Sequence, residues 1–397
     1  MLFRSARLAG RTDKNVMTYM TIPATISGGP SIYQVRLGTG EVLSAGDDVD
    51  FLVAFYQHSY ENHIATLRDG GVLIYDSDTV KPDPDQKRYR AVGVPISSLT
   101  VEAIGGTGKD KGKNMFVLGL VARLFELDDA KLEGMLNAYY KGKGDDVIRK
   151  VVGAFHAGFA YNLGQLDEHF EFKPSDKPPA RARVVMDGNQ AIAYGAIAAG
   201  VRFGAGYPIT PWSSIMEILR SELPKYGGTF VQAEDELAAI AMACGASYAG
   251  HVALTGTSGP GISLKSEALG WAVMAEMPLV IIDVQRGGPS TGLPTNVEQS
   301  DLNIACFTAH GDAPRIVVAP ANVEDCFYTT FEAVNLAREY SCPVLVLTDQ
   351  AIATRVESFE MPDFATFTQD IAPHFDPDRK STRLNSSHLV ISYAVFC

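Results

Sequence analysis

Between residues 230 and 347, short apolar runs alternate with longer stretches whose apolar residues recur every three or four positions. Phe230-Val231-Gln232, Val252-Ala253-Leu254, Leu279 to Val284, Arg315 to Val318 and Val344 to Leu347 have strand length, and Glu234 to Tyr248, Ser263 to Met274 and Val323 to Tyr340 read as helices. Strands joined through helical crossovers run parallel, so the alternation predicts an α/β fold with a doubly wound, mostly parallel sheet covered on both faces. Ligands collect at the carboxyl ends of such strands, which makes the residues just past each strand the first candidates for a site.

Upstream, Val49 to Phe55 and Val72 to Tyr75 read as strands, with a helical stretch around Tyr60, His63 and Leu67 between them. Asn114 to Phe125, Asp129 to Tyr140 and Asp145 to Tyr161 carry helical spacing, so this half reads as a smaller α/β domain closed by helices. Lys173 to Arg181 combines three prolines with alternating charge and reads as an extended, solvated linker. The expected organisation is a first domain over 6–172, a linker over 173–183, a second domain over 184–355, the start of a following segment over 356–380, and a non-native tail over 381–397 rich in Ser and Asn.

Charge and cysteine spacing exclude several classes of function. The 34 Lys and Arg against 46 Asp and Glu leave a net charge of −12, the wrong sign for a nucleic-acid or anionic-membrane partner. No apolar run reaches the roughly 18 residues needed to span a bilayer, and no apolar core follows the basic start, so a cytoplasmic protein is expected. Cys244, Cys306, Cys326, Cys342 and Cys397 include no closely spaced pair, which argues against a metal or iron–sulfur centre on this chain. His310 has no nucleophile near it in sequence, and Lys109, Lys111 and Lys113 read as a solvated basic cluster.

Four segments stand at predicted strand ends. In Gly206-Tyr207-Pro208-Ile209-Thr210-Pro211-Trp212-Ser213-Ser214, Pro residues hold Thr210 rigidly, ready to donate to a carbonyl or carboxylate; Thr210 or Ser213 could equally cap a following helix. Glu234-Asp235-Glu236 places three carboxylates at a strand–helix junction. The helix dipole alone favours acids there, but Glu234, nearest the strand end, could exchange a proton with a heterocyclic base from a pocket. Thr255 to Gly261 is a small-residue loop whose amides could approach a flat or anionic ligand, or merely a tight turn, and it lacks the ending of a Walker loop. Arg286, followed by the Gly/Pro loop to Thr295, suits a guanidinium fork aimed at a carboxylate, or a structural pair with Asp283 or Asp301. A dinucleotide-binding fold is disfavoured because no Gly-x-Gly-x-x-Gly follows an early strand.

Taken in order, the four segments resemble the α subunit of the 2-oxoacid:ferredoxin oxidoreductases, and the resemblance runs from about Met20 to Phe364. Residues 184–355 resemble that family's thiamine-diphosphate pyrimidine-binding domain. The first half resembles its fused γ domain, through Ser27-Gly28-Gly29-Pro30-Ser31 and Gln34-Val35-Arg36. The resemblance implies that Thr210, Arg286 and Thr295 hold the 2-oxoacid. It further implies that Glu234 engages the aminopyrimidine ring nitrogen and favours the imino tautomer, which deprotonates the thiazolium carbon, and that Pro208, Ser258 and Gly259 contact the cofactor. The implied reaction is oxidative decarboxylation onto coenzyme A, with electrons passed to ferredoxin.

This sequence has no Gly-Asp-Gly run followed by Asn and no cluster-binding cysteines. The resemblance therefore assigns magnesium, the diphosphate grip and the iron–sulfur cluster to a β subunit, within a dimer of αβ heterodimers. Trp212 and the Gly-Leu-Pro-Thr loop look most like the 2-oxoglutarate branch, with pyruvate, branched-chain 2-oxoacids or a non-catalytic interaction subunit as alternatives. The γ-like half lacks the Gly-rich turn expected at its start, and nothing like the family's later domain follows about residue 365, so truncation at both ends is expected.

Overall fold

Leu279–Gln285 and Pro343–Asp349 are buried along their whole length and pair in parallel, residue for residue, at the centre of a six-stranded sheet. Runs such as Val-Ile-Ile and Val-Leu-Val-Leu suit a strand covered on both faces, because they leave no side chain that needs water. The computed structural model describes residues 6, 8–10, 12–21, 31–105, 112–164, 166 and 179–367. Within it the chain divides into two units, one built mainly from residues up to Val185 with Val356–Met361, the other from Met186–Arg355.

The first unit holds β1 (Asn15–Met20), β2 (Tyr33–Gly38), β3 (Val49–Ala54), β4 (Leu67–Asp76) and β5 (Arg90–Val94), with α1 (Gln57–His63), α2 (Ile96–Ile104), α3 (Lys113–Leu124), α4 (Asp129–Tyr140) and α5 (Asp145–Ala160). β3, β4 and β5 form a parallel sheet, and α3 and α5 share a core with it through Phe116, Leu120, Ala154 and Phe155. The two helices meet backbone to backbone. A Cβ on Gly158 would lie 1.8 Å from the Phe116 carbonyl oxygen, and one on Gly119 would lie 2.1 Å from that of Phe155.

The unit's second sheet runs β2-β1-β13-β6, where β6 is Arg183–Asp187 and β13 is Val356–Glu360. The residues after 355 therefore begin by closing this sheet rather than opening a further segment. β1 offers an edge for them: Met17 pairs with Glu357, and the Val356 N–H donates to the Thr18 hydroxyl at 2.9 Å.

The second unit's sheet has the order β11-β12-β10-β9-β7-β8, with β7 (Phe203–Gly206), β8 (Thr229–Gln232), β9 (Ala253–Thr257), β10 (Leu279–Gln285), β11 (Ile316–Val318) and β12 (Pro343–Asp349). All its pairings are parallel. α6 (Gly188–Ala198), α7 (Ser213–Glu222), α8 (Glu236–Tyr248), α9 (Gly259–Met274), α10 (Leu302–Phe307), α11 (Val323–Tyr340) and α12 (Gln350–Thr354) connect the strands. Side-chain caps fix where several of them start: Asp187 and Gln190 form a capping box on α6, Asn322 caps α11 and Asp349 caps α12.

Ser27 to Pro30, Lys109, Lys111, residues 173–178 of the expected linker and the expected tail over 381–397 lie outside the described residues. Lys113 is not solvated as its cluster suggested: its ammonium pairs at 3.2 Å with the fully buried Asp76. A buried carboxylate at a strand end draws the nearest cation inward.

Candidate functional site

Each segment singled out in the sequence follows a strand of the second unit's sheet, at its carboxyl end. Arg286, one residue past β10, is 6% exposed. Its Nη1 donates to the Thr210 carbonyl and its Nη2 to the Thr291 carbonyl, each at 2.7 Å, while its Nε is buried without a partner. Burial lowers the guanidinium's pKa, and the charge of Glu236 works in the opposite direction. Neither Asp283 nor Asp301 forms the salt bridge that the sequence allowed for this arginine; two loop carbonyls take its fork instead.

Thr210 is exposed on the turn that follows β7. It does not cap α7, nor does Ser213, which is the helix's first residue: the N-cap position is Trp212, whose side chain makes no capping bond. Asn189 of α6 holds the turn by donating from Nδ2 to the Pro211 carbonyl at 3.0 Å. Pro208 is exposed and Thr295 half-buried. The loop between Arg286 and Asp301 is held at several points: Gly287 bridges Leu293, the Gly288 N–H donates to Glu298 at 2.9 Å, and the Asp301 N–H donates to the Gln285 side chain at 3.0 Å.

Asp283 and Asp301 face each other instead. Burial pushes the Asp283 carboxyl well above the usual carboxylate range, and the charge of Asp301 adds to this. Burial raises Asp301 too. Both oxygens of Asp283 and the Asp301 Oδ2 are buried without a hydrogen-bond partner.

The three carboxylates after β8 separate into three environments. Glu234 is exposed, and its side chain bonds to no described residue. Asp235 caps α8, accepting from the Ala238 N–H at 2.7 Å. Glu236, the first residue of that helix, is 7% exposed, and its carboxylate takes no hydrogen bond from a described residue. The sequence reading placed the pocket-facing acid at Glu234; the structure buries Glu236. The helical phase carried the signal, because one turn back from the buried pair Ile240 and Cys244 is Glu236.

Two further features lie around Glu236. α9 crosses it at Gly261, where a Cβ would meet the Glu236 Cγ at 2.9 Å and the Thr257 hydroxyl at 1.9 Å. One turn on, Lys265 is fully buried, its Nζ donating to the Glu236 carbonyl at 3.0 Å and to the Thr255 hydroxyl at 3.2 Å. Sequence reasoning missed this lysine, although it interrupts the buried stripe of Ile262, Leu269 and Ala272. Ser258, at the N-cap of α9, is buried with its hydroxyl unpartnered, as are the Trp212 Nε1 and the Asn189 Oδ1.

Arg286 and Thr210 are thus brought together, with Glu236 within electrostatic reach of the arginine. Among the described residues no hydrogen bond or ion pair links Thr295 or Glu234 to them, and His310 is exposed beyond α10. Among the described residues no group of His, Cys, Asp and Glu could hold a metal ion, and no helix is long and apolar enough to cross a membrane.

The domain model described as pyruvate flavodoxin/ferredoxin oxidoreductase, thiamine diphosphate-binding, matches residues 194–394, about half of the chain, and a second model, pyruvate ferredoxin/flavodoxin oxidoreductase, matches 4–161. The chain belongs to the pyruvate ferredoxin/flavodoxin oxidoreductase family. The 2-oxoglutarate oxidoreductase subunit KorA of Mycobacterium tuberculosis is 39% identical over 380 residues, covering 89% of this chain and 57% of the relative. The 2-oxoglutarate synthase subunit KorA of Archaeoglobus fulgidus is 49% identical over 178 residues, covering 45% of this chain and 51% of the relative.

A structure of 2-oxoglutarate:ferredoxin oxidoreductase from Magnetococcus marinus, with 2-oxoglutarate, coenzyme A and succinyl-CoA bound, superposes with a TM-score of 0.84 at 37% identity. It covers 95% of this chain and 65% of that one. The chain of this oxidoreductase family member therefore spans between about half and two thirds of the length of these relatives. Its second unit carries the family's thiamine diphosphate-binding domain.

Proposed function

We propose that this chain is part of the α subunit of a 2-oxoglutarate:ferredoxin oxidoreductase. The reaction converts 2-oxoglutarate, coenzyme A and two oxidised ferredoxins to succinyl-CoA, carbon dioxide, a proton and two reduced ferredoxins. The observation that carries this reading is the burial of Glu236 and Arg286 just past the carboxyl ends of two parallel strands, in the domain matched by the thiamine diphosphate-binding family model. The choice of 2-oxoglutarate over pyruvate or branched-chain 2-oxoacids rests on the names of the relatives.

The residues fit the cofactor. Glu236 offers a buried carboxylate with no protein donor, suited to hold a proton at a ring nitrogen of the aminopyrimidine; the exposed Glu234 is less suited. The orphaned Ser258 hydroxyl adds a second polar group beside Gly259, and Pro208 offers an apolar wall on the facing turn. When bound, thiamine diphosphate supplies the acidic carbon that attacks the keto group. Arg286, each of whose Nη atoms keeps one hydrogen beyond its bond to a loop carbonyl, is placed to orient the substrate carboxylate, and the hydroxyls of Thr210 and Thr295 add donors from the two loops flanking it.

The partner is a β subunit that grips the diphosphate through magnesium and carries the iron–sulfur cluster, the assembly being a dimer of αβ heterodimers in the cytoplasm. α8 and α9 support a covering partner, because both leave large apolar side chains exposed. Their inner faces are in the core, while Leu237, Met242 and Tyr248 of α8 and Leu264, Trp271 and Met274 of α9 are exposed. A cluster of exposed large apolar side chains marks a surface suited to a partner.

The test is co-expression of the full-length subunit with its β partner, followed by viologen or ferredoxin reduction with 2-oxoglutarate, pyruvate and branched-chain 2-oxoacids in the presence of coenzyme A. The expected result is a kcat/KM for 2-oxoglutarate at least ~10-fold above the others, about 1.4 kcal/mol of discrimination. Absence of reduction with every 2-oxoacid by an assembled, cofactor-loaded complex overturns the reading.

A further inference from the structure

Lys265 is harder to explain as structure than as function. Its ammonium is fully buried and bonds two neutral oxygens, the Glu236 carbonyl and the Thr255 hydroxyl, with no carboxylate among its hydrogen-bond partners. Desolvation lowers its pKa to about 8. A methionine of similar volume would fill the same space between α8, α9 and β9 without that cost, and such replacements of buried charge are often neutral or stabilising. What a methionine cannot supply is a field.

The groups within that field are few. Glu236 exerts the largest favourable effect on the lysine, followed by Cys244 and Asp235, and Arg286 acts on Glu236 from the end of β10. Burial holds the Cys244 thiol neutral, pushed up to about 11, and Asp235 is committed to the cap of α8. Glu236 remains. α9 grips that residue at two points one helical turn apart, with Gly261 against its Cγ and Lys265 bonded to its carbonyl.

We infer that Lys265 is a positioning residue for Glu236: its buried ammonium, bonded to the Glu236 carbonyl and the Thr255 hydroxyl, pins the first turn of α8 to β9 and so fixes where the Glu236 carboxylate stands. The inference rests on the reading of Glu236 as the carboxylate that meets the cofactor ring, and the experiment separates the two.

In the full-length subunit assembled with its partner, thiamine diphosphate affinity is measured by titration calorimetry from about pH 5 to pH 9 for the wild type, Lys265→Met, Lys265→Arg, Glu236→Gln and the double variant Lys265→Met with Glu236→Gln. Thermal unfolding is followed in parallel. Lys265→Met is expected to unfold at or above the wild-type temperature and to bind the cofactor about 10-fold more weakly across that pH range, because the first turn of α8 is no longer pinned. Lys265→Arg, which keeps a buried donor, is expected to stay nearer the wild-type affinity, and Lys265→Met to add nothing once Glu236 is glutamine.

Binding curves of Lys265→Met that superpose on the wild type overturn the inference. So does an equal loss in the Glu236→Gln background, or an arginine variant weakened as far as the methionine one. Wild-type affinity and pH dependence in Glu236→Gln overturn the underlying site reading instead, whatever the lysine variants do.

Discussion

Arg286 ties two loops from different strands together, its Nη1 on the carbonyl of Thr210 and its Nη2 on that of Thr291, each at 2.7 Å. A planar fork makes both bonds at once, whereas a lysine ammonium on a flexible stem holds one geometry poorly. Arg286→Lys is therefore expected to behave nearly as badly as Arg286→Ala, each raising the KM for the 2-oxoacid about 10- to 100-fold in the assembled full-length enzyme; hydrogen bonds to charged groups are worth roughly 1.5–3 kcal/mol. Limited proteolysis should also cut the 287–300 loop faster in both variants. A lysine variant with wild-type KM and wild-type cleavage would show that the guanidinium geometry is dispensable.

Glu234 and Glu236 lie two residues apart but in different solvents, the first exposed and the second buried against α9. Glu236→Gln keeps the shape and removes the charge, and is expected to slow turnover by about 100-fold or more, the usual scale for a group that handles a proton in the site. Glu234→Gln is expected to stay within about 3-fold of wild type, as surface changes generally do. Steady-state reduction assays on the two variants of the assembled complex decide the assignment, and the reverse ranking returns the role to Glu234.

How much of this was legible beforehand depended on how locally each element is stabilised. β10 and β12 declare themselves because burial on both faces demands unbroken apolar runs. β7, with the sequence Phe-Gly-Ala-Gly, has no such run, and β6 and β13 exist through pairing with one another and with β1, across more than 160 residues of chain. No local pattern announces a strand of that kind. In the site, the strand ends located Arg286 and Thr210, but choosing between Glu234 and Glu236 required the phase of α8. Ranking the acids by nearness to the strand end favoured Glu234, whereas burial follows the helical phase of Ile240 and Cys244, which turns Glu236 inward. Lys265 escaped notice for a related reason: a lysine ordinarily lies on the solvent face of a helix.

The burial of the Asp283 carboxyl makes stability depend on pH. Asp283's folded pKa is raised above its unfolded value, so the folded state binds more protons in the window from the ordinary carboxylate range upward. Stability from this group is present at low pH and is lost as pH rises through that window toward the folded pKa. Asp283→Asn keeps the shape and removes the titration. Chemical denaturation of the chain at pH 5, 7 and 8.5 is expected to show a flatter pH dependence for the variant, with its advantage over wild type growing toward alkaline pH. Identical slopes in the two proteins would mean that no proton is held there.

The crossing of α3 and α5 provides a prediction confined to the first unit. Gly158 is where the two backbones touch, and a methyl there would lie 1.8 Å from the Phe116 carbonyl oxygen, an atom of a helix backbone that has no rotamer into which to retreat. Gly158→Ala must therefore separate the helices and loosen the core they share with the parallel sheet, at a cost of about 3 kcal/mol, the upper range for overpacking. For a unit of this size that corresponds to a fall of roughly 6–12 °C in its unfolding temperature. Gly134, on the exposed face of α4, is the control: a Cβ there meets nothing within 4 Å, so Gly134→Ala should raise stability by up to about 1 kcal/mol through helix propensity alone. Calorimetry of the two single variants beside wild type reads both signs in one experiment. Equal responses would mean that the helices do not meet at Gly158.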